Sequence, residues 1–176
     1  MSTLLFYLNT TTNEWYNSEV ITIYTDGSSR GNPGPGGWAG IIANDEKVLE
    51  IGGREDHTTN NRMELVGVIK SLEFADNNFQ ITKIEINTDS EYVMKGITEW
   101  VKRWQIKGWK TANKKPVLNQ DLWQALLQVT EGKDIEWKYV AGHAGVRLNE
   151  RADEIATAFA DNLNPALYHG SRDQYK

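Results

Sequence analysis

The sequence predicts an α/β fold, a mixed five-stranded sheet with helices packed on its faces. Three observations lead there. Residues 20–53 hold three strand-like runs, two of them joined by a short turn. From Arg62 the apolar spacing becomes helical. After that, strand-like and helix-like segments alternate as far as Asp161, as they do when helices connect parallel strands.

The elements follow in order. VITIYT (20–25) alternates in a β-branched style and reads as the first strand, with Asp26 at its end. TDGSSRGNPGPGG (25–37) then carries five glycines and two prolines, more than a turn needs. GWAGIIA (37–43) and KVLEIGG (47–53) form an antiparallel hairpin across Asn44-Asp45-Glu46. Asn60 and Asn61 are helix-start residues, and Leu65, Val68, Ile69 and Leu72 mark the helical face. TKIEINT (82–88) is the fourth strand. Residues 90–104 predict one helix or two short ones, weakened at Gly96. Asn119 or Asp121 opens a helix carrying Leu122, Trp123, Leu126 and Leu127. DIEWKYV (134–140) is the fifth strand, and a last helix runs from about Asn149 to Asp161.

A chain of 176 residues with no internal repeat and no long linker is one domain, here 20–161. Residues 1–19 are an extension with no period and no assigned role. The polar tail 162–176 is expected to be loosely held. There is no cysteine, hence no disulfide framework, and three scattered histidines are too few for a zinc site. LLFYL (4–8) is too short for a membrane span and lacks the basic flank of a signal peptide. A cytoplasmic monomer without membrane attachment is expected. Net charge is −5, yet residues 95–115 carry seven cations against the single acid Glu99. A basic segment on an acidic protein suggests a local polyanion contact; its plainer reading is a solvated helix face.

Four acids hold the chemistry. Asp26 and Asp89 each end a strand, and if those strands are parallel neighbours both carboxylates lie at one sheet edge, where open α/β sheets place ligands. Glu64 shares a helix face with Gly67, Val68, Ser71 and Leu72 and so points at the sheet. Asp153 lies in the first turn of the last helix, beside the stripe Leu148, Ala152, Ile155, Ala156 and Phe159. Taken singly, each acid has a structural use as a turn or helix cap. Converging, four carboxylates repel unless cations neutralise them. Hard oxygen ligands suit Mg²⁺ or Mn²⁺, and two ions about 4 Å apart fit phosphodiester hydrolysis.

YTDGSSRGNPGPGGWA, TTNNRMEL, INTDSEYV, GWKTANKKPVLNQDLW and KYVAGHAGVRLNERAD together resemble ribonuclease HI of the bacterial type with a basic protrusion. The resemblance runs from Val20 to Phe159. It implies the RNase H-like fold and endonucleolytic cleavage of the RNA strand of RNA–DNA hybrids, leaving 5′-phosphate and 3′-hydroxyl ends. By motif position Asp26, Glu64, Asp89 and Asp153 would hold the metal, and His143 would assist proton transfer. Ser28, Ser29 and Asn32 would line the hybrid's minor groove, with the glycines of 27–37 letting the backbone approach it. Asn60 and Asn61 would read base or sugar edges, and Thr59, Arg62 and Asn119 would hold a phosphate of the DNA strand. In the protrusion, Lys102, Lys107 and Lys110 would meet the DNA backbone while Trp100, Trp104 and Trp109 pack.

Two residues depart from the family pattern. Glu91 stands where relatives typically carry glutamine, which places an acid in the groove and should weaken hybrid binding by repulsion. Ser29 replaces a cysteine, without expected consequence. Two other functions compete, a nuclease of the same fold acting on DNA and a non-catalytic hybrid-binding module. The second needs a broken acidic set, and all four acids are present.

Overall fold

A computed structural model describes residues 20–79, 81, 83–142 and 144–175. Six strands form one sheet: β1 (Val20–Ser29), β2 (Gly34–Ala43), β3 (Lys47–Thr58), β4 (Lys83–Thr88), β5 (Ile135–Tyr139) and β6 (His169–Ser171). Their order is β5-β4-β1-β2-β3-β6. β4 runs parallel to β1 and β5 parallel to β4, whereas β1–β2, β2–β3 and β3–β6 are antiparallel.

Alternation along the strands divides the core in two. Ile21, Ile23, Ile42, Ile84 and Ile86 face the side covered by helix α1 (Asn60–Asn78), with α2 (Glu91–Lys95), α3 (Val101–Ile106) and α4 (Gln120–Thr130) extending that layer. Ala39, Ile41, Ala43 and Val48 face α5 (Arg147–Ala160), which supplies Ala152, Ile155 and Ala156. The small residues on this second face bring α5 close to the sheet, which matters for Asp153. Trp123 is fully buried in the first cluster.

Two expectations change and two are made finer. The glycine-rich stretch is a hairpin, not a loose loop: β1 continues through Asp26 to Ser29, pairing Ser28 with Gly37 and Ser29 with Gly36. Glycine weakens a strand but still offers its N–H and C=O to the ladder, so pairing overrides propensity. The first helix is capped by Thr59, whose hydroxyl accepts from the Arg62 amide at 3.4 Å, and Asn60 and Asn61 are its first helical residues. Residues 91–106 form α2 and α3 joined by a π-helical turn, Gly96–Trp100, that starts at the suspected weak point. The sheet has six strands rather than five because the tail, expected to be loose, lays His169–Ser171 along β3. A three-residue strand of His, Gly and Ser carries no propensity signal; its neighbours Tyr168 and Tyr175 anchor it.

Candidate active site

The last parallel pair between β1 and β4 is Thr25 with Thr88, so Asp26 and Asp89 follow it side by side. Here the parallel pairing ends, on the carboxyl side of β4, the kind of edge where open α/β sheets bind ligands. Asp26 stays inside β1 because that strand continues into the antiparallel hairpin. Glu64 comes from α1, one turn beyond Thr59. Gly27 lets it come so near, since a Cβ there would lie 2.2 Å from the Glu64 amide nitrogen. Gly37 does the same for α5, where a Cβ would meet the Ala156 carbonyl at 2.2 Å. These two glycines, assigned from sequence to the approach of a nucleic acid, thus seat the helices that bring Glu64 and Asp153.

Asp26, Glu64 and Asp89 each offer a carboxylate oxygen within 4.8 Å of the others. Asp26 and Glu64 are each 6% exposed. Asp153 approaches from α5, near enough for its charge to bear on Asp26, and accepts from the Thr157 hydroxyl at 3.5 Å. Burial, then the charges of Asp89 and Asp153, push the Asp26 carboxyl up to about 8 against an opposing bond from the Gly27 amide. Burial, then Asp26 and Asp89, likewise raise Glu64 well above the usual carboxylate range. Buried, mutually repelling acids of this kind are what a divalent cation relieves. One atom marks the place: Glu64 Oε2 is buried and has no hydrogen-bond partner among the described residues, while Oε1 accepts from Asn60 Nδ2 at 3.3 Å. The donor set is all oxygen, which suits a hard divalent ion. The residues present therefore fit a metal.

The remaining predicted residues distribute as follows. Ser28 and Ser29 end β1, and Asn32 stands exposed at the hairpin turn beside a cis peptide to Pro33. Asn60 and Asn61 are exposed on the first turn of α1. Thr59, Arg62 and Asn119 come together, with Arg62 Nη1 donating to Asn119 Oδ1 at 3.4 Å. Arg62 also grips Asp121 through two bonds of 3.0 and 2.7 Å, a partner not foreseen from sequence. Glu91 is exposed and paired with Lys95 at 2.6 Å, one helical turn on, so its charge is balanced locally and the expected repulsion is reduced. Lys102, Lys107 and Lys110 are exposed and enter no ion pair among the described residues. Trp100 and Trp104 pack at 5.7 Å, and Trp104 packs on Trp123 at the same distance. His143 lies outside the described residues. Its predecessor Gly142 lies against Asp89, where a Cβ would sit 3.1 Å from Oδ2.

Asn149 was missed from sequence. It is 2% exposed, and its Nδ2 donates to Asp89 Oδ2 at 3.0 Å, tying α5 to β4 across the cluster. Its spacing was the available signal, because Asn149 and Asp153 stand four apart and so share a helix face.

A two-faced α/β sheet with carboxylates gathered where the parallel pairing of β1 and β4 ends, two of them buried, defines a protein built around an acidic, cation-holding centre. A family model described as RNase H matches residues 18–161. The chain is 50% identical over 147 residues to Ribonuclease HI of Caulobacter vibrioides, covering 84% of this chain and 97% of the relative. LC9-RNase H1, described as a type 1 RNase H with the type 2 active-site motif, superposes with a TM-score of 0.75 at 31% identity, over 88% of this chain and 79% of that one. LC11-RNase H1, solved in complex with an RNA/DNA hybrid, superposes with a TM-score of 0.61 at 25% identity, over 81% and 97%. The chain belongs to the RNase H family, in its bacterial HI type.

Proposed function

We infer that this protein is an endoribonuclease that hydrolyses the RNA strand of RNA–DNA hybrids. The observation that carries the inference is the meeting of Asp26, Glu64 and Asp89 within 4.8 Å, with the charge of Asp153 acting on Asp26. The hybrid bound to LC11-RNase H1 supports the substrate class. Asp26, Glu64, Asp89 and Asp153 would hold the metal, Mg²⁺ or Mn²⁺, as two ions once substrate is present. When bound, such ions neutralise the scissile phosphate and acidify the attacking water. The chain's own residues set the stage: Asn149 orients Asp89, Asn60 orients Glu64, and Glu64 Oε2 is left open toward the centre. His143 would move a proton during attack or product release.

Ser28, Ser29, Asn32, Asn60 and Asn61 form the surface for the minor groove, where 2′-hydroxyls distinguish RNA from DNA. Thr59, Arg62 and Asn119 would take a DNA phosphate, with Asp121 yielding Arg62 as the phosphate arrives. Contacts of this kind fix register without reading sequence, so cleavage is largely sequence-independent; the family resemblance implies 5′-phosphate and 3′-hydroxyl ends. No described helix is long and apolar enough to cross a membrane. The protein is taken to act in the cytoplasm as a monomer.

The test is end-labelled RNA paired with DNA, incubated with Mg²⁺ beside the same sequence as all-RNA and all-DNA duplexes. RNA cleavage in the hybrid alone is expected. Cutting of the DNA duplex would favour a DNA nuclease of this fold, and tight hybrid binding without turnover would favour a binding module.

A further inference from the structure

The helix that carries Asp153 is gripped at a point the proposed reaction does not use. Glu50, on β3, has a side chain only 1% exposed, and both its oxygens are fully engaged. Oε1 accepts from Arg151 Nε at 2.8 Å and from the Tyr175 hydroxyl at 2.7 Å. Oε2 accepts from Arg151 Nη2 at 3.1 Å and from the Tyr168 amide at 2.8 Å. Arg151 also donates to Glu154 and to the Ala166 carbonyl, each at 3.1 Å. The Tyr175 ring stands edge-on to Tyr168 at 5.0 Å, under the Arg147 guanidinium at 5.1 Å. Two arginines at the start of α5 are thus held by β3 and by residues 166–175, which lie beyond the stretch matched to the family.

Fastening a helix to a sheet does not require a buried ion pair, since apolar side chains of similar volume do it equally well or better. A two-pronged arginine–carboxylate pair adds direction, because the planar fork fixes an angle as well as a distance. Asp153 follows Arg151 by two residues on the same helix, and its charge acts on Asp26. A carboxylate about 5–6 Å from a helix axis moves about 1 Å when the helix rolls by about 10°, and a site of this kind tolerates roughly 0.5 Å.

We propose that Glu50 is a positioning residue: gripping Arg151, with Tyr168 and Tyr175 closing the grip, it sets the roll of α5 and thereby the place of the Asp153 carboxylate. This rests on the reading of Asp153 as a metal ligand. It gives the C-terminal segment a part in metal affinity that its distance from the acids does not suggest.

The experiment uses the full chain carrying Glu50→Gln, Tyr175→Phe, Asp153→Asn or Leu126→Ala. Mg²⁺ is titrated twice, by hybrid cleavage and by NMR at the amides around residue 153. In Tyr175→Phe and Glu50→Gln the Mg²⁺ concentration for half-saturation should rise about 3- to 10-fold in both titrations, below the 10–100-fold typical of a lost direct outer-shell partner. KM for the hybrid at saturating Mg²⁺ should not change. Leu126→Ala, buried on the other face of the sheet, should lower Tm without moving either titration. A fall in Tm of Tyr175→Phe with an unmoved Mg²⁺ titration overturns the proposal and leaves the cluster merely structural. Should Glu50→Gln fail to fold, Tyr175→Phe decides alone, since it removes one hydroxyl and keeps the ring. If Asp153→Asn leaves Mg²⁺ binding unchanged, Asp153 is no ligand and the underlying reading fails. If Asp153→Asn weakens binding and the other two do not, that reading stands and the positioning proposal falls.

Discussion

Replacing Asp26 by asparagine should make the metal-free protein more stable while abolishing cleavage. Burial and two acidic neighbours raise the folded Asp26 carboxyl to about 8, from 3.8. The folded state therefore binds this proton more readily than the unfolded chain does. Stability is highest below the unfolded value and is lost as pH rises through the window from about 4 to about 8. At pH 7 roughly three units of that window have been crossed, a ceiling of about 4 kcal/mol at ~1.4 kcal/mol per unit. Repulsion gives a comparable figure: charges within 4.8 Å interact by about 3 kcal/mol at an effective dielectric constant of ~20. Taking about 3 kcal/mol, and about 2–4 °C of Tm per kcal/mol for a domain of this size, Asp26→Asn should melt about 6–12 °C higher at pH 7 to 8. The assay is thermal melting by circular dichroism, in EDTA, from pH 5 to pH 9, with wild type alongside. The gap should widen with pH and level off above 8, and Mg²⁺ should narrow it by stabilising the wild type. A gap that does not vary with pH, or a less stable variant at pH 8, would refute the reasoning.

Three further outcomes are expected. Asn149→Ala removes the amide that donates to Asp89 and should lower kcat about 10- to 100-fold with hybrid affinity nearly unchanged, as steady-state kinetics and filter binding will show. Joint replacement of Lys102, Lys107 and Lys110 by alanine should weaken hybrid binding and flatten the slope of log affinity against log salt by about one for each phosphate no longer neutralised, with cleavage at saturating substrate preserved. Glu91→Gln leaves Lys95 unpaired in the proposed groove, so hybrid affinity at low salt should rise, and the gain should fade in titrations above physiological ionic strength.

The elements with strong periodicity were the legible ones. Ile21, Ile23, Ile84 and Ile86 announced their strands, and Leu65, Val68 and Leu72 announced α1. The meeting of Asp26 with Asp89 was deducible because a helical crossover makes their strands parallel neighbours, which fixes both acids at one edge. What escaped depends on residues far apart in the chain. The pairing of Ser28 with Gly37 makes strand out of residues with little strand propensity. Arg62 offers no sign in sequence that Asp121, 59 positions later, will take its guanidinium. Glu50, one acid among 24, looks like any polar residue of a half-exposed strand until Arg151 and Tyr175 arrive.

The tail strand also bears on how the molecule behaves in company. Every open sheet has two rims whose unpaired N–H and C=O groups are a template for other chains. One rim, β5, is guarded by charge: Lys138 pairs with Glu85 and Glu136, and Lys83 meets Glu136 at 2.9 Å. The other is β6, only three residues long, which pairs with Lys47, Val48 and Leu49 of β3. Without residues 166–176 the longer β3 would be the rim, with its unpaired backbone groups open to another chain. A rim of three residues, His169–Ser171, offers such a template little length.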